Sequence, residues 1–277
     1  MISTNQIDII LGVDQCGAVD NNGLPKALPS SILYYTNKWQ LYPEELNLKA
    51  FTREAIQELF LEKIGSSMDE QNIVIAVDCV FGLPRSTGLN FTGLKNWIAD
   101  AGSMDGYGFY AAKKFFDSKI GAHEIFRQAE KQLNSGSVFS PYPLQKNIQT
   151  GTFRIWKDLN SWSDNSYSIW PFEAYKGAGK PWIIEAYPSL AYLLLQNTKR
   201  QFKINLPLDI QSSIANLDAL HGFSKDHRDA SMAAILTWKI ANQGLREQRQ
   251  VDIEGAILGY QERRSPSQDK NKIGSSF

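Results

Sequence analysis

Apolar residues in this chain gather in short, dense blocks that stop on a carboxylate. Ile7 to Asp14 reads Ile-Asp-Ile-Ile-Leu-Gly-Val-Asp. A nearly unbroken run of branched residues predicts a strand buried on both faces at the centre of a sheet. Ile73 to Asp78 repeats the pattern as Ile-Val-Ile-Ala-Val-Asp and breaks at Gly82-Leu83-Pro84. A third block, Trp182-Ile-Ile-Glu185, lies in a strand predicted from Pro181 to Tyr187. Between the first two blocks, Asp20-Asn-Asn-Gly23 is a strong turn signal that folds the first strand back as a hairpin. Ser31 to Tyr35 and Lys38 to Tyr42 are the predicted second and third strands. Phe51 to Ile64 reads as a helix with Phe51, Ala55 and Leu59 on its apolar stripe and Gly65 as its stop. Glu54, Glu58 and Glu62 recur every fourth residue and read as its solvated face.

The pattern changes from about residue 85 to 181. Gly, Ser, Pro and aromatic residues are frequent there, and regular signals thin out. One long or broken helix is expected from Phe109 to Leu133. About half of the aromatic residues lie between Tyr107 and Trp182, where basic residues outnumber acidic ones. Regularity returns with helices expected at Ser189 to Gln196 and Leu208 to Leu220. Ser224 is the predicted cap of a final helix, along which Asp229, Ala233, Leu236 and Ile240 fall on one line and which Gly244 ends. The expected organisation is one domain over 1–262 with an insertion at about 85–181, and a polar tail over 263–277.

Composition narrows the classes. The chain has 277 residues, 43% hydrophobic and 21% charged, with a formal net charge of zero. That suits a globular domain with an ordinary core. It argues against a histone-like polyanion binder, though a local basic patch remains compatible. No run approaches the roughly 18 apolar residues of a membrane span. Asp8 interrupts the first apolar run, so the start lacks a signal-peptide pattern. The two cysteines, Cys16 and Cys79, read as small buried thiols in a reducing cytoplasm.

Asp14, Asp78, Glu185 and the pair Asp226 and Asp229 stand at element ends far apart in sequence. A carboxylate at the end of a central strand is costly unless a cation meets it. Their convergence on one acidic site, most simply a metal site, is the expectation. A capping or turn role is the alternative for Asp14 and Asp78.

The element order resembles the ribonuclease H-like fold: three antiparallel strands, a helix, a strand ending in Asp, an insertion, a strand carrying Glu, and a last helix opening with Asp-x-x-Asp. Asp226-His227-Arg228-Asp229-Ala230 looks like the terminal-helix motif of RuvC-type Holliday-junction resolvases. Over the whole chain the resemblance is closer to the family catalogued as domain of unknown function 429, whose members are predicted ribonuclease H-like nucleases. It rests on Gly12-Val13-Asp14, Val77-Asp78 through Gly82-Leu83-Pro84, Glu185-Ala186-Tyr187-Pro188, Asp229-Ala230 and Glu254-Gly255-Ala256-Ile257-Leu258-Gly259. The pattern departs from ribonuclease H proper, whose first helix carries a site glutamate; here Glu185 comes from a strand.

The resemblance implies an α/β domain with a mixed five-stranded sheet flanked by helices, and a nuclease activity. Two Mg²⁺ or Mn²⁺ ions about 4 Å apart would serve both ends of an in-line displacement. Asp14, Asp78, Asp226 and Asp229 would be the metal ligands, and Glu185 a further ligand or a water-orienting group. Lys146, Arg154 and Lys157 in the aromatic and basic insertion are the candidate phosphate contacts for a DNA or RNA partner. His227 reads as an exposed helix residue or a proton shuttle. A non-catalytic binding module on the same fold is the main alternative. An ATP-dependent phosphotransferase is the other, but Asp14-Gln-Cys-Gly17 is a poor phosphate loop.

Overall fold

The computed structural model describes residues 7–15, 18–42, 44–120, 126–133, 137, 139, 146–188, 224–242 and 255. Among the described residues, seven strands form one mixed sheet: β1 (Ile9–Val13), β2 (Leu28–Tyr35), β3 (Trp39–Leu41), β4 (Leu46–Leu48), β5 (Ile73–Val77), β6 (Ser168–Trp170) and β7 (Trp182–Glu185). The order across it is β3-β2-β1-β5-β7-β6, with β4 paired to β2. β1 and β2 are antiparallel, as the turn signal predicts. At that turn the Asp20 carboxylate accepts from the Asn22 and Leu24 amides, and Gly23 takes a φ of 76°. β5, β7 and β6 run parallel to β1, so their C-terminal ends share one edge of the sheet. β4 and β6 carry too few residues to show a period and have no counterpart among the predicted strands.

Alternation along the strands divides the core in two. Ile9, Leu11 and Val13 of β1, with Ile73, Ile75 and Val77 of β5, face one side. There they meet α1 (Arg53–Ile64), α2 (Phe91–Ser103), α3 (Phe109–Ile120) and α5 (Lys146–Leu159) through Phe60, Trp97, Phe115 and Trp156. Ile10, Val74 and Ile184 face the other side and pack under α6 (Lys225–Asn242) through Ile235, Leu236 and Trp238. Helices on both faces explain why β1 and β5 are apolar along their whole length.

The insertion is more regular than its composition suggests. α2 has an Asn90 cap, whose side chain accepts from the Gly93 amide at 3.1 Å, and it buries Leu94, Trp97 and Ile98. The predicted helix from Phe109 to Leu133 is two helices, α3 and α4 (Gln128–Leu133). α5 is unannounced because Thr150, Gly151 and Thr152 are poor helix formers in its middle. Gly151 is needed there, since a Cβ would stand 1.3 Å from the Gln15 side chain. The predicted helices at Ser189 to Gln196 and Leu208 to Leu220, the stop at Gly244 and the 263–277 tail lie outside the described residues, as does Cys16; Cys79 is buried and free. No helix among the described residues is long and apolar enough to cross a membrane.

Candidate active site

Asp14 and Asp78 directly follow β1 and β5, whose last residues Val13 and Val77 are parallel partners. The backbone pins both. The Asp14 amide donates to Pro29 O at 2.9 Å, and the Asp78 amide to Val13 O at 3.0 Å. The loop after Asp78 is equally held. The Val80 amide donates to Thr152 Oγ1, the Phe81 amide to Glu185 Oε2, and Trp156 Nε1 to Val80 O. α5 is thus the floor beneath the two strand-end turns.

α6 supplies the third carboxylate. It lies against β1 because Gly12 has no side chain: a Cβ there would stand 2.0 Å from Ala230 O. Ala76, Ala186 and Ala233 extend this close contact. Ser224 caps the helix as predicted, accepting from the His227 amide at 3.3 Å. Asp229, one residue before Ala230, is half-buried, whereas Asp226 is exposed.

Electrostatics registers this gathering. Asp14 is 7% exposed, and its carboxyl is pushed up to about 9. Burial is the largest cause, followed by the charges of Asp78, Asp229 and Asp226, and Lys225 opposes them. Asp78 is pushed up to about 7, again first by burial, then by Asp229 and Glu185. A hydrogen bond from the Asp14 carboxyl favours the ionised form of Asp78. Both carboxyls are thus held above the usual carboxylate range, as expected for two close carboxyls in a poorly solvated site.

Glu185 borders this cluster but is differently engaged. Arg127, just before α4, grips it with two bonds, Nη2 to Oε1 at 2.6 Å and Nη1 to Oε2 at 2.9 Å. The same guanidinium donates through Nε to Glu130 Oε1 at 2.9 Å. Arg127, Glu130 and Glu185 are all buried. Both Glu185 oxygens thus accept hydrogen bonds from the protein. Nothing in the pattern around Arg127 signals this role; a lone arginine between a phenylalanine and a short helix looks ordinary.

Two of the predicted phosphate contacts are engaged with backbone carbonyls of the protein. Arg154 is 2% exposed and turns inward, donating to the backbone carbonyls of Lys26 and Lys49. Lys157 reaches the Gly102 and Met104 carbonyls and lies over the Tyr107 ring, 5.2 Å from its centroid. Both belong to an α5 that is buried along much of its length, so their cations stitch loops together. Lys146 opens α5, and its side chain lies outside the described residues. His227 is likewise buried rather than exposed. Its Nε2 donates to Leu46 O at 2.8 Å and its Nδ1 lies 2.7 Å from Ser224 Oγ, so it ties the start of α6 to β4. The glutamates of α1 are peripheral as expected, with Glu58 paired to Lys49 at 2.8 Å.

Carboxylate oxygens are the hard donors that Mg²⁺ and Mn²⁺ take, and a cation would relieve the repulsion among Asp14, Asp78 and Asp229. Among the described residues, no three His, Cys, Asp or Glu side chains already stand at metal-holding separations. A polar cleft of about 620 Å³, lined by Arg53, Asp69, Trp162, Gly179 and Lys180, lies before β5 and β7, at the opposite strand ends. It contains none of the candidate residues. The chain matches no protein-family profile, no curated protein and no solved structure.

Proposed function

We propose that this protein is a ribonuclease H-like, metal-dependent nuclease of the kind its resemblance to the domain of unknown function 429 family implies. The observation that carries the reading is the mutual electrostatic influence of Asp14, Asp78 and Asp229. Two come from the paired ends of adjacent parallel strands and one from a helix seated on Gly12. An antiparallel three-strand start running into parallel strands supports the fold reading. So does Gly255, where a Cβ would lie 3.2 Å from the Phe172 ring and 3.4 Å from Gly82 Cα, close to the Gly82-Leu83-Pro84 break.

Asp14, Asp78 and Asp229 would hold the ion, with Asp226 as an outer or water-mediated ligand. Mg²⁺ or Mn²⁺ supplies a Lewis acid for the phosphate and an acidified water. The chain's own part is positioning. The amide bonds of Asp14 and Asp78 fix the strand-end carboxyls, and the seat of α6 on Gly12 fixes the backbone beside Asp229. Both raised carboxyls must be ionised to ligate, so cation binding releases protons from the pair. The test is cleavage of mixed DNA and RNA substrates with Mn²⁺: the wild type should cut, and Asp14→Asn should not.

A second reading has one observation in its favour. Arg127 already neutralises Glu185, and the remaining carboxylates are not assembled as a three-donor set. A nucleic-acid-binding module without catalysis would show binding with no Mn²⁺-dependent cutting.

A further inference from the structure

α3 carries an exposed ring where an amphipathic helix should carry polar groups. Its inner face is Ala112, Phe115, Phe116 and Ile120, all buried. Its outward line is Tyr110, Lys114 and Asp117, at spacings of four and three. Tyr110 is 86% exposed, the most open large hydrophobic residue described. Phe109 meets it edge-on, with ring centroids 5.6 Å apart, and so limits its swing. Lys114, one turn further on, is exposed. Asp117 is neutralised by Lys113 at 2.5 Å, which leaves the line with a net positive end.

The helix start is docked on the hairpin arm that extends from β1 and β2. A Cβ at Gly108 would stand 3.3 Å from Val19, which bridges Pro25 across the arm. The next residue of the arm, Lys26, is exposed, and its amide donates to Ala18 O at 3.0 Å. Val19 is five residues from Asp14, so its Cα lies at most about 18 Å from that of Asp14. Single-strand sites cover about 4–16 nucleotides, so one bound strand can span from the arm to the candidate site.

We infer that Tyr110, steadied by Phe109, with Lys114 one turn on and Lys26 on the docked arm, is a stacking platform for an unpaired strand of nucleic acid that also reaches the carboxylate site. An exposed ring takes the face of any base, but it cannot reach one stacked inside a duplex, and the lysines meet the phosphates. The inference rests on the nucleic-acid reading above and gives it a substrate class: unpaired strands or duplexes with single-stranded ends. It also moves the aromatic and basic surface from α5, where the sequence suggests it, to α3.

The test is binding of a labelled 20-nucleotide oligothymidine and of a blunt 20-base-pair duplex to the full chain, in Ca²⁺ to suppress cutting. Tyr110→Ala should weaken oligothymidine binding about tenfold or more, leave duplex binding within about twofold, and leave the melting temperature unchanged. Tyr110→Phe should restore affinity. Lys114→Ala should lower the salt slope by about 0.7. Wild-type affinity in Tyr110→Ala overturns the platform, as does a wild type that binds only duplex; in both cases the nuclease reading survives. Tight, Tyr110-dependent oligothymidine binding without Mn²⁺-dependent cutting supports the platform and removes the nuclease.

Discussion

Gly12 and Ala230 are in such close contact that a Cβ on Gly12 would stand 2.0 Å from the Ala230 carbonyl oxygen. No L side chain fits there without moving α6 off β1. Because Asp229 adjoins Ala230, the same contact sets the height of Asp229 over Asp14. Gly12→Ala should therefore cost about 1–3 kcal/mol in denaturant unfolding, the usual range for overpacking. It should also reduce Mn²⁺-dependent activity. Gly23→Ala at the open hairpin tip is the control; it carries only the φ penalty and should leave activity alone.

Buried like charges make the metal-free protein acid-preferring. Asp14 and Asp78 are held above the unfolded carboxyl value of about 3.9. The native state therefore keeps protons that the unfolded state has lost, and stability falls as pH rises. Asp78 contributes up to about pH 7 and Asp14 up to about pH 9. Thermal melts in a chelator from pH 5 to 9 should show a steady decline beyond that of a surface-charge variant. Asp14→Asn should flatten the curve. A wild type whose melting temperature climbs across this window would contradict the clustering.

Divalent metal should reverse that decline, since an ion that binds only the native state stabilises it by mass action. With millimolar Mn²⁺ the gain in melting temperature should be larger at pH 8 than at pH 6, because the ion competes with the proton on Asp14. Equal gains in the wild type and in Asp14→Asn would place the ion elsewhere.

The sequence reveals the strands that end in Asp14, Asp78 and Glu185 because continuous branched residues between turn signals have few other solutions. The hairpin at Asp20 and the cap at Ser224 are equally local and equally legible. α5 is not, because Gly151 meets Gln15 and Thr152 accepts from the Val80 amide, against local helix propensity. Arg154 and Lys157 look like a phosphate surface for the same reason: charge is visible in sequence, but the burial of Arg154 and the carbonyls that Lys157 reaches are not. The grip of Arg127 on Glu185 joins positions 58 residues apart and leaves no periodic trace.

That grip should be expensive to break. Removing one member of a buried, bidentate pair strands the other charge, at about 3–5 kcal/mol. Arg127→Met should destabilise by that order in urea. Glu185→Gln added to it should recover part of the loss, because the stranded carboxylate is gone. Glu130 also holds Arg127, so recovery should be incomplete. Additive effects of the two substitutions would mean that the pair is not coupled.

Asp229 and Asp226 lie three residues apart in the first turns of α6, yet the structure separates their roles. Asp229 is half-buried, and its charge acts on both Asp14 and Asp78; Asp226 is exposed, and its charge acts on Asp14. Replacing Asp229 by Asn keeps the shape and removes one of the charges that hold the pair's protons. Two effects of opposite sign should follow. Cleavage should be lost, because the proposed inner ligand is gone. The metal-free protein should become more stable at pH 8, by several degrees in melting temperature, because Asp14 and Asp78 can then ionise at less cost. Asp226→Asn should show a smaller version of both. This pairing of lost activity with gained stability is what a strained functional cluster predicts and a capping aspartate does not; loss of an ordinary helix-start carboxylate lowers stability. A melting temperature that falls in Asp229→Asn, together with a wild-type cleavage rate, would return Asp229 to a structural role and leave the proposed active site without its third carboxylate.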